Sequence, residues 1–349
     1  MTFGAGPAVS ALGCTIVQMS SEFTREEEIA TTSVERPHVV ILGAGASVAA
    51  CPDGDANGRR LPVMMDFVEK LGLKDELNGA GVQSDGNFED IYSALHADSR
   101  FNDLRIRLES AVYEYFAGLA LPNFPTIYDH LVMSLRPKDV IATFNWDPFL
   151  CQALERNRGR APLPRALFLH GNVAISICAK DKQAFMSRRE CSVCGSHTEP
   201  TRLLYPIRQK DYASDPFIDT EWRNLRAAMQ NAFMLTVFGY GAPVSDSEAV
   251  RLMSDGWGGA STRELEQTEI INVLTEEEVL KTWDPFIHTH HYEVKRSFYD
   301  SWLAKHPRRS GEAWWEQYLE AKFIEQNPLP ADLGFDQFWE WISTLVTNE

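Results

Sequence analysis

Three short motifs contain side chains that can do chemistry, and each lies at the end of a short apolar run. GAGAS occupies residues 43–47, TFNWD occupies residues 143–147 and LHGN occupies residues 169–172. The glycines of the first motif allow a tight turn that brings backbone N–H groups against a pyrophosphate. The imidazole of His170 can exchange a proton near neutral pH, and the glycine beside it permits close approach of a substrate.

Each motif also has a purely structural interpretation. The glycine pair can be an ordinary turn, since Val48 stands where a complete dinucleotide-binding fingerprint has its third glycine. Asp147 suits an N-cap before Pro148, so Asn145 is the stronger candidate for chemistry. A single histidine is more often buried and bonded to the backbone. However, glycine, amide and imidazole at three strand ends favour a shared site.

The elements that must position these motifs alternate along the chain. Apolar runs typical of buried strands begin at residues 38, 139, 166, 233 and 269. Segments with the apolar spacing of helices lie at residues 64–73, 88–95, 104–119, 149–154, 222–229 and 250–253. This alternation predicts an α/β fold, with a mostly parallel sheet covered by helices on both faces. Ligands then bind beyond the carboxyl ends of the strands.

The order of these segments predicts how the chain is organised. Residues 1–35 lack a clear strand or helix signal, so we expect an N-terminal extension. Residues 36–287 are expected to form the main domain, in which residues 51–138 are a helical insertion without a strand. Residues 288–349 are expected to be helical and contain five tryptophans. This tail is either a cap on the sheet or an interface for self-association or a partner.

The composition limits the partners of the protein. With 33 Lys and Arg against 49 Asp and Glu, the formal net charge is -16, which repels polyanions and argues against direct binding of nucleic acid. No apolar run reaches the roughly 20 residues that span a bilayer, and no export signal is recognised. We therefore expect a soluble, cytoplasmic protein without a membrane partner. The six cysteines are too unevenly spaced for the framework of a small secreted domain.

Taken in order, the motifs resemble those of the sirtuin (Sir2-type) family. That family shows a GAG turn with a nearby serine, then TQNID, HG, a glycine-rich strand end and an IN dipeptide. The counterparts of the last two are FGYGAPVSD at residues 238–246 and IN at residues 271–272, and the whole resemblance covers about residues 38–275. It implies a Rossmann-like fold with a smaller inserted module, and NAD as the substrate.

The resemblance also implies roles for individual residues. His170 matches the catalytic histidine, and Asn145 lies in the pocket for the nicotinamide ribose. The cofactor-binding residues come from the same motifs: Gly43, Ala44, Gly45 and Ser47 along the phosphates, Thr143 and Asp147 beside Asn145, Gly239 and Ser245 at the glycine-rich strand end, and Asn272 at the adenosine ribose.

A zinc site is a further implication, because sirtuins hold zinc with two pairs of cysteines. Cys191 and Cys194 form one such pair. Cys178 lies upstream, and His197 would complete a set of four ligands in a module at about residues 174–200. The alternative is a degenerate ribbon with reduced thiols and no metal.

Sirtuin-like proteins with a TFNWD-type motif and an incomplete zinc ribbon resemble the NAD-depleting effectors of bacterial antiphage defence. The resemblance implies hydrolysis of NAD to nicotinamide and ADP-ribose, in a homo-oligomer or with a partner ATPase of the HerA type or an Argonaute-like protein. Two alternatives stay open: an NAD-dependent protein deacylase, which needs a peptide groove, and a subunit that senses NAD or ADP-ribose without turnover.

Overall fold

Strands and helices alternate through the computed structural model of the chain, which describes residues 21–186, 190–207, 212–243, 246–259, 261–263, 265–287 and 291–349. The strands are β1 Glu22–Phe23, β2 His38–Leu42, β3 Val140–Thr143, β4 Arg165–Phe168, β5 Ile175–Cys178, β6 Gln183–Met186, β7 Glu199–Pro200, β8 Met234–Phe238, β9 Gln267–Ile271, β10 Tyr292–Lys295 and β11 Phe323–Ile324. The helices are α1 Arg25–Ala30, α2 Ala44–Ala50, α3 Phe67–Lys70, α4 Lys74–Gly79, α5 Phe88–Ala97, α6 Asn102–Ala117, α7 Ile127–Met133, α8 Phe149–Arg156, α9 Pro216–Asn231, α10 Ser247–Trp257, α11 Glu276–Trp283, α12 Trp302–Lys305, α13 Ser310–Tyr318 and α14 Phe335–Val346.

Within the described residues, six parallel strands form one sheet in the order β10-β9-β8-β2-β3-β4. With β2 counted as the first strand, this is the 3-2-1-4-5-6 order of doubly wound dinucleotide-binding folds. The five predicted strands are confirmed as β2, β3, β4, β8 and β9. The predicted fold class is confirmed as well, since helices cover both faces of the parallel sheet.

The side chains of β2 explain why both faces of the sheet are covered. Val39 and Ile41 belong to a buried cluster with residues of α9, α10 and α11, whereas Val40 and Leu42 belong to a cluster with residues of α5 to α8. All four side chains are fully buried, as is typical of a central strand in a parallel sheet. Because the strand order reverses between β2 and β8, a crevice opens beyond the carboxyl ends of these two strands.

The segment between β2 and β3 is helical and contains no strand in its fully described residues 43–139. Helices α5 and α6 agree with the predicted segments to within two residues at each end. The predicted helix at residues 64–73 is wrong in length, because only the four residues of α3 are helical there. Gly72 has a φ of +69°, in the left-handed region that ends helices, and α4 begins two residues later.

Residues 21–35 of the expected N-terminal extension contain secondary structure, although their apolar spacing shows no clear strand or helix signal. The strand β1 pairs in parallel with β11, and α1 begins with a capping box in which Thr24 and Glu27 exchange hydrogen bonds. Its buried Glu28 accepts a hydrogen bond from His306 at 2.9 Å. The capping-box spacing is visible in the sequence and is the signal that predicts this helix. Residues 1–20 lie outside the described part of the chain.

The expectation that the tail is helical is wrong for Tyr292–Lys295, which forms β10 and pairs in parallel with β9. All four residues are half-buried. Tyr292 and Val294 alternate with the charged residues Glu293 and Lys295. A strand at the edge of the sheet tolerates this alternation, since it needs no continuous apolar run. This strand completes the doubly wound order of the sheet.

The tail packs against the main domain, which supports its interpretation as a cap. Trp302 and Trp314 are buried in a cluster with Phe233 and Met234, beside the start of β8. Two more tryptophans, at positions 339 and 341, are half-buried against the main core. Only Trp315 of the five exposes a large fraction of its surface, 42%.

A small antiparallel sheet follows β4. It contains β5, β6 and β7 in the order β6-β5-β7 and falls within the module predicted at about residues 174–200. In the part of the chain that the structure describes, no helix is long and apolar enough to cross a membrane.

Candidate active site

A cavity of about 300 Å³ lies in the crevice at the carboxyl edge of the sheet. Six of the predicted site residues line it: Gly43, Ala44, Asn145, Asp147, His170 and Gly239. They follow β2, β3, β4 and β8. Because these four strands are neighbours in the sheet, motifs that are up to 196 residues apart in the chain meet at one edge. The predicted residue Ser245 lies outside the described residues.

The side chain of Asn145 is held in one orientation by its amide nitrogen. That nitrogen lies 2.9 Å from the carbonyl oxygen of Gly43, 3.0 Å from Ser47 Oγ and 3.1 Å from the hydroxyl of Tyr128. The backbone N–H of Asn145 donates to Thr143 Oγ1 at 3.0 Å. Because the amide nitrogen is engaged by the protein, the amide oxygen is the group that Asn145 can offer to a ligand in the cavity.

A buried hydroxyl and carboxylate network lies behind Asn145. Ser47 Oγ lies 2.7 Å from Asp147 Oδ2 and 2.7 Å from the Tyr128 hydroxyl. Burial raises the pKa of Asp147 to about 6, and the hydrogen bond from Ser47 opposes this shift. Asp147 also accepts from the N–H of Phe149 at 3.2 Å, as expected of a residue at the start of a helix. The network fixes the wall of the cavity from which Asn145 projects.

Asn172 ties the second and third motifs together. Its amide nitrogen donates to the carbonyl oxygens of Asn145 at 3.1 Å and of Asp147 at 2.7 Å. Its own backbone N–H donates to Thr201 Oγ1 at 3.0 Å. Asn172 belongs to the LHGN motif, but its sequence position alone predicts no role for it. It is a positioning residue, because it fixes the loop that holds Asn145 against the loop that holds His170.

His170 lies just beyond β4, between aromatic rings. Its ring is nearly perpendicular to that of Phe144, with 4.8 Å between centroids, and stacks on that of Tyr212 at 5.7 Å. The Nε2 atom of His170 lies 3.3 Å from the Tyr212 hydroxyl. Burial raises the pKa of Tyr212 well above its ordinary value, so this phenol stays protonated at neutral pH and can donate a hydrogen bond to the imidazole.

The glycines of the first and fourth motifs pack against each other. Gly43 N–H donates to the carbonyl oxygen of Phe238 at 3.0 Å, and Gly45 N–H donates to that of Gly239 at 2.9 Å. Gly239 has a φ of +64°, and a Cβ atom there would lie 2.2 Å from the backbone nitrogen of Ala46. These contacts require glycine at the junction of β2 and β8.

The remaining predicted residues that the structure describes are bonded within the protein or lie away from the cavity. The N–H of Gly45 is bonded to protein, and Ser47 is fully buried behind the cavity rather than exposed to a phosphate. Thr143 is buried too and bonds the backbone of Asn145. Asn272 lies at the end of β9, where its side-chain oxygen accepts from the N–H of Leu274 at 3.0 Å, and it does not line the cavity. Contact of these four residues with a dinucleotide stays a prediction.

Aromatic and acidic side chains that the sequence motifs do not predict as site residues complete the cavity. The rings of Phe144 and Tyr240 stack at 4.0 Å with an interplanar angle of 6°, and the Tyr240 hydroxyl donates to Asp246 at 2.9 Å. Trp146 and Glu89 also line the cavity. Tyr240 and Asp246 stand in the segment FGYGAPVSD at residues 238–246, where an aromatic and an acidic residue beside a glycine-rich strand end are the signal that could have drawn attention to them.

Four potential metal ligands cluster in the small module: Cys178, Asp181, Cys191 and Cys194. Their ligand atoms lie within 4.8 Å of one another. The sulfurs of Cys178 and Cys194 are 3.7 Å apart, close to the roughly 3.8 Å that two 2.3 Å zinc–sulfur bonds give at a tetrahedral angle. The donor set therefore fits zinc.

The structure places Asp181, rather than the expected fourth ligand His197, beside the three cysteines. His197 is exposed and lies in an isolated antiparallel bridge with Glu190. Asp181, in the turn between β5 and β6, instead lies 3.2 Å from the sulfur of Cys191. The spacing of cysteine and histidine residues alone carries no signal for a carboxylate ligand such as Asp181.

No family model and no curated protein matches the chain. Solved structures, however, are similar to it. The chain is similar to a Sir2 homolog in complex with NAD, at 13% identity and a TM-score of 0.35, over 92% of this chain and 93% of that chain. It is also similar to a substituted Sir2 homologue with 2′-O-acetyl ADP-ribose, at 15% identity and a TM-score of 0.36, over 91% and 95%. A third structure, on the mechanism and regulation of Sir2 enzymes, gives 16% identity and a TM-score of 0.39, over 77% and 89%.

All three TM-scores lie below 0.5, so the roles of individual residues rest on the geometry described above. By that geometry, the chain is a doubly wound α/β protein with a cavity at its topological switch point.

Proposed function

We propose that this protein hydrolyses NAD to nicotinamide and ADP-ribose in the cavity at the carboxyl edge of the sheet. The observation that carries the proposal is that Asn145 and His170, from neighbouring strand ends, line one cavity. The ordered motifs that resemble those of sirtuins support NAD as the substrate. The strand order supports it too, because folds with this order bind dinucleotides at the same crevice.

The chemistry assigns one task to each of the two residues. Breaking the bond between nicotinamide and ribose releases a neutral base and leaves positive charge on the ribose. Water then attacks the ribose carbon and loses one proton, so the products are nicotinamide, ADP-ribose and a proton. The Asn145 amide oxygen accepts a hydrogen bond from that water or from a ribose hydroxyl, in the orientation fixed by its amide nitrogen. His170 accepts the proton.

Product analysis tests this proposal. Purified protein is incubated with NAD, with and without an acetylated peptide, and the products are identified. We expect nicotinamide and free ADP-ribose in equal amounts without the peptide. Consumption of NAD only with the peptide, accompanied by O-acetyl-ADP-ribose, would instead identify a deacylase. Binding of NAD or ADP-ribose without turnover would identify a sensing subunit.

The biological setting is part of the proposal and rests on the motif resemblance alone. We propose a cytoplasmic antiphage defence effector that works as a homo-oligomer or with a HerA-type ATPase or an Argonaute-like partner. The mass of the purified protein in solution tests self-association, and a monomer at all concentrations would contradict it.

The small module is proposed to hold a structural zinc ion through Cys178, Asp181, Cys191 and Cys194. This ion would fix the turn between β5 and β6. Elemental analysis of protein purified without chelators tests it, with about one zinc per chain as the expected result.

A further inference from the structure

The orientation of the Asn145 amide decides whether its oxygen or its nitrogen faces the cavity. The two ends of an amide have nearly the same size, so the packing around this buried side chain does not choose between them. The groups behind the amide are three oxygens, from the carbonyl of Gly43 and the hydroxyls of Ser47 and Tyr128. The protons on the two hydroxyls therefore decide which end of the amide can face them.

The carboxylate of Asp147 determines where the Ser47 proton points. An ionised carboxylate only accepts hydrogen bonds, and its Oδ2 atom lies 2.7 Å from Ser47 Oγ. The single hydroxyl proton of Ser47 is thus donated to Asp147. The oxygen of Ser47 has only lone pairs left, so it accepts from the Tyr128 hydroxyl at 2.7 Å. The hydrogen bonds run in one direction, from Tyr128 through Ser47 to Asp147.

This direction leaves no proton for the amide oxygen of Asn145. If the amide were turned over, its oxygen would face the oxygens of Gly43, Ser47 and Tyr128, which all act as acceptors in this arrangement. The turn would replace hydrogen bonds with repulsion between oxygens. The charge on Asp147 therefore keeps the nitrogen of the amide inward and its oxygen toward the cavity.

Asp147 is the charged member of this group at neutral pH. Burial raises its pKa to about 6, and its hydrogen bonds oppose this shift, so the carboxyl is mostly ionised at pH 7. Tyr128, Cys51 and Cys151 are the titratable groups whose pKa responds to this charge. Burial raises the pKa of each of the three, so they stay protonated and uncharged. None of them competes with Asp147 for control of the direction.

We propose that Asp147 is a positioning residue that acts through Ser47 and Tyr128 to turn the amide oxygen of Asn145 toward the cavity. This inference deepens the proposed function and rests on it, because that oxygen is the group assigned to the attacking water or to a ribose hydroxyl. The role uses only contacts within the protein and requires no contact between Asp147 and the substrate.

Asp147→Asn tests the direction of the hydrogen bonds, because it replaces an acceptor with a donor. Oδ1 of Asp147 accepts from the N–H of Phe149 at 3.2 Å, so we expect the oxygen of the introduced amide to keep that contact and its NH2 group to face Ser47. The proton of Ser47 is then donated to Tyr128. The proton of Tyr128 is left for the amide oxygen of Asn145, which favours the turned amide.

NMR of the side-chain amide measures this turn without any cleavage of NAD. The full chain is labelled with isotope-enriched asparagine, and the NH2 signals of Asn145 are assigned by their loss in Asn145→Asp. In the wild type we expect slow hydrogen exchange of this buried group, and signals that shift as the pH falls through about 6, where Asp147 takes up a proton. In Asp147→Asn we expect exchange at least about tenfold faster and no such shift.

A second variant reaches the same link from its other side. Ser47→Ala removes the group between Asp147 and Tyr128 and should also speed the exchange, so it tests the inference even where Asp147→Asn impairs folding. The double variant should exchange no faster than the faster single variant, because both changes break one connection. The matched control is Asp215→Asn at the start of α9, where the carboxylate accepts from the N–H of Phe217 at 2.9 Å; it should leave the signals unchanged.

Cleavage of NAD gives an independent measure of the same role. Asp147→Asn and Ser47→Ala should each lower kcat about tenfold with little change in KM, because the misplaced oxygen no longer orients the reacting group. An Asn145 NH2 group that stays as protected in both variants as in the wild type would overturn the inference.

The NMR result separates this inference from the proposed function. A turned amide in a protein that does not cleave NAD would contradict hydrolysis and keep the positioning role. Cleavage of NAD by a protein whose Asn145 NH2 group is unaffected by both substitutions would do the reverse.

Discussion

Glu269 is a fully buried carboxyl group in β9, and its replacement by glutamine measures how much a buried charge costs this fold. Its Oε1 atom accepts from the N–H of Trp302 at 2.7 Å, and Oε2 accepts from the Thr236 hydroxyl at 3.3 Å. Thr236 in turn contacts Nε2 of His38 at 2.8 Å. Burial lowers the pKa of His38 to about 4, so this ring is neutral at neutral pH. Glutamine keeps the size of the side chain and can retain both hydrogen bonds.

The magnitude follows from the pKa of Glu269, which burial raises from 4.5 to about 7. A raised carboxyl pKa means that the folded state holds the proton more tightly than the unfolded state. The resulting stabilisation is fully present below about pH 4.5 and is lost as the pH rises through about 7. A pKa shift of one unit corresponds to about 1.4 kcal/mol, so the free energy of unfolding of the wild-type protein falls by on the order of 3 kcal/mol as Glu269 becomes charged between these two pH values. Glu269→Gln has no such loss.

Urea unfolding between about pH 5 and pH 8.5 measures this difference. We expect Glu269→Gln to be about as stable as the wild type at the low end, and more stable by about 1 to 3 kcal/mol at the high end. Glu277→Gln on the exposed face of α11 is the control, since its carboxylate is largely in water. A stability difference that does not change with pH would refute this account of Glu269.

Three further predictions, made with five substitutions, test other parts of the structure. Gly171→Ala should lower the free energy of unfolding by more than about 3 kcal/mol, on the order expected for a severe clash, because its φ is +74° and a Cβ would lie 2.0 Å from a backbone oxygen. Gly159→Ala, with a φ of +78° in open space, should cost only about 1 kcal/mol in the same urea titration. Tyr128→Phe removes a hydroxyl that contacts Asn145 and should lower the rate of NAD cleavage about tenfold with normal circular dichroism; an unchanged rate would exclude this positioning role. Asp181→Ala should lose zinc by elemental analysis and His197→Ala should keep it, whereas the opposite pattern would restore His197 as the ligand.

The fold could be predicted largely because its central strands are buried on both faces. Continuous apolar runs such as that of β2 can hardly be anything but buried strands once helices alternate with them. All four residues of the edge strand β10 are half-buried and two of them are charged, so β10 has no continuous apolar run to predict it. The order of the strands within the sheet could not be predicted from the sequence, because it depends on contacts between segments that are distant in the chain.

The site could be predicted only where its residues follow the strands directly. Asn145 and His170 could be assigned to one edge of the sheet because the carboxyl ends of parallel strands meet there. Tyr128 and Tyr212 reach the same place from a helix and a loop, and tyrosines in such segments look like ordinary core residues. Asp181 was missed for a different reason, since an aspartate in a turn is common without a metal.

The rate of NAD cleavage in variants of the two central residues tests the central claim most directly. Wild-type protein, Asn145→Ala and His170→Ala are compared by following nicotinamide release, with circular dichroism and thermal unfolding as the test of folding. We predict that each variant folds and that its rate falls by at least about a hundredfold, the scale expected for loss of an acid–base or orienting group. A well-folded variant that cleaves NAD at the wild-type rate would contradict the claim that these side chains act together in the cavity.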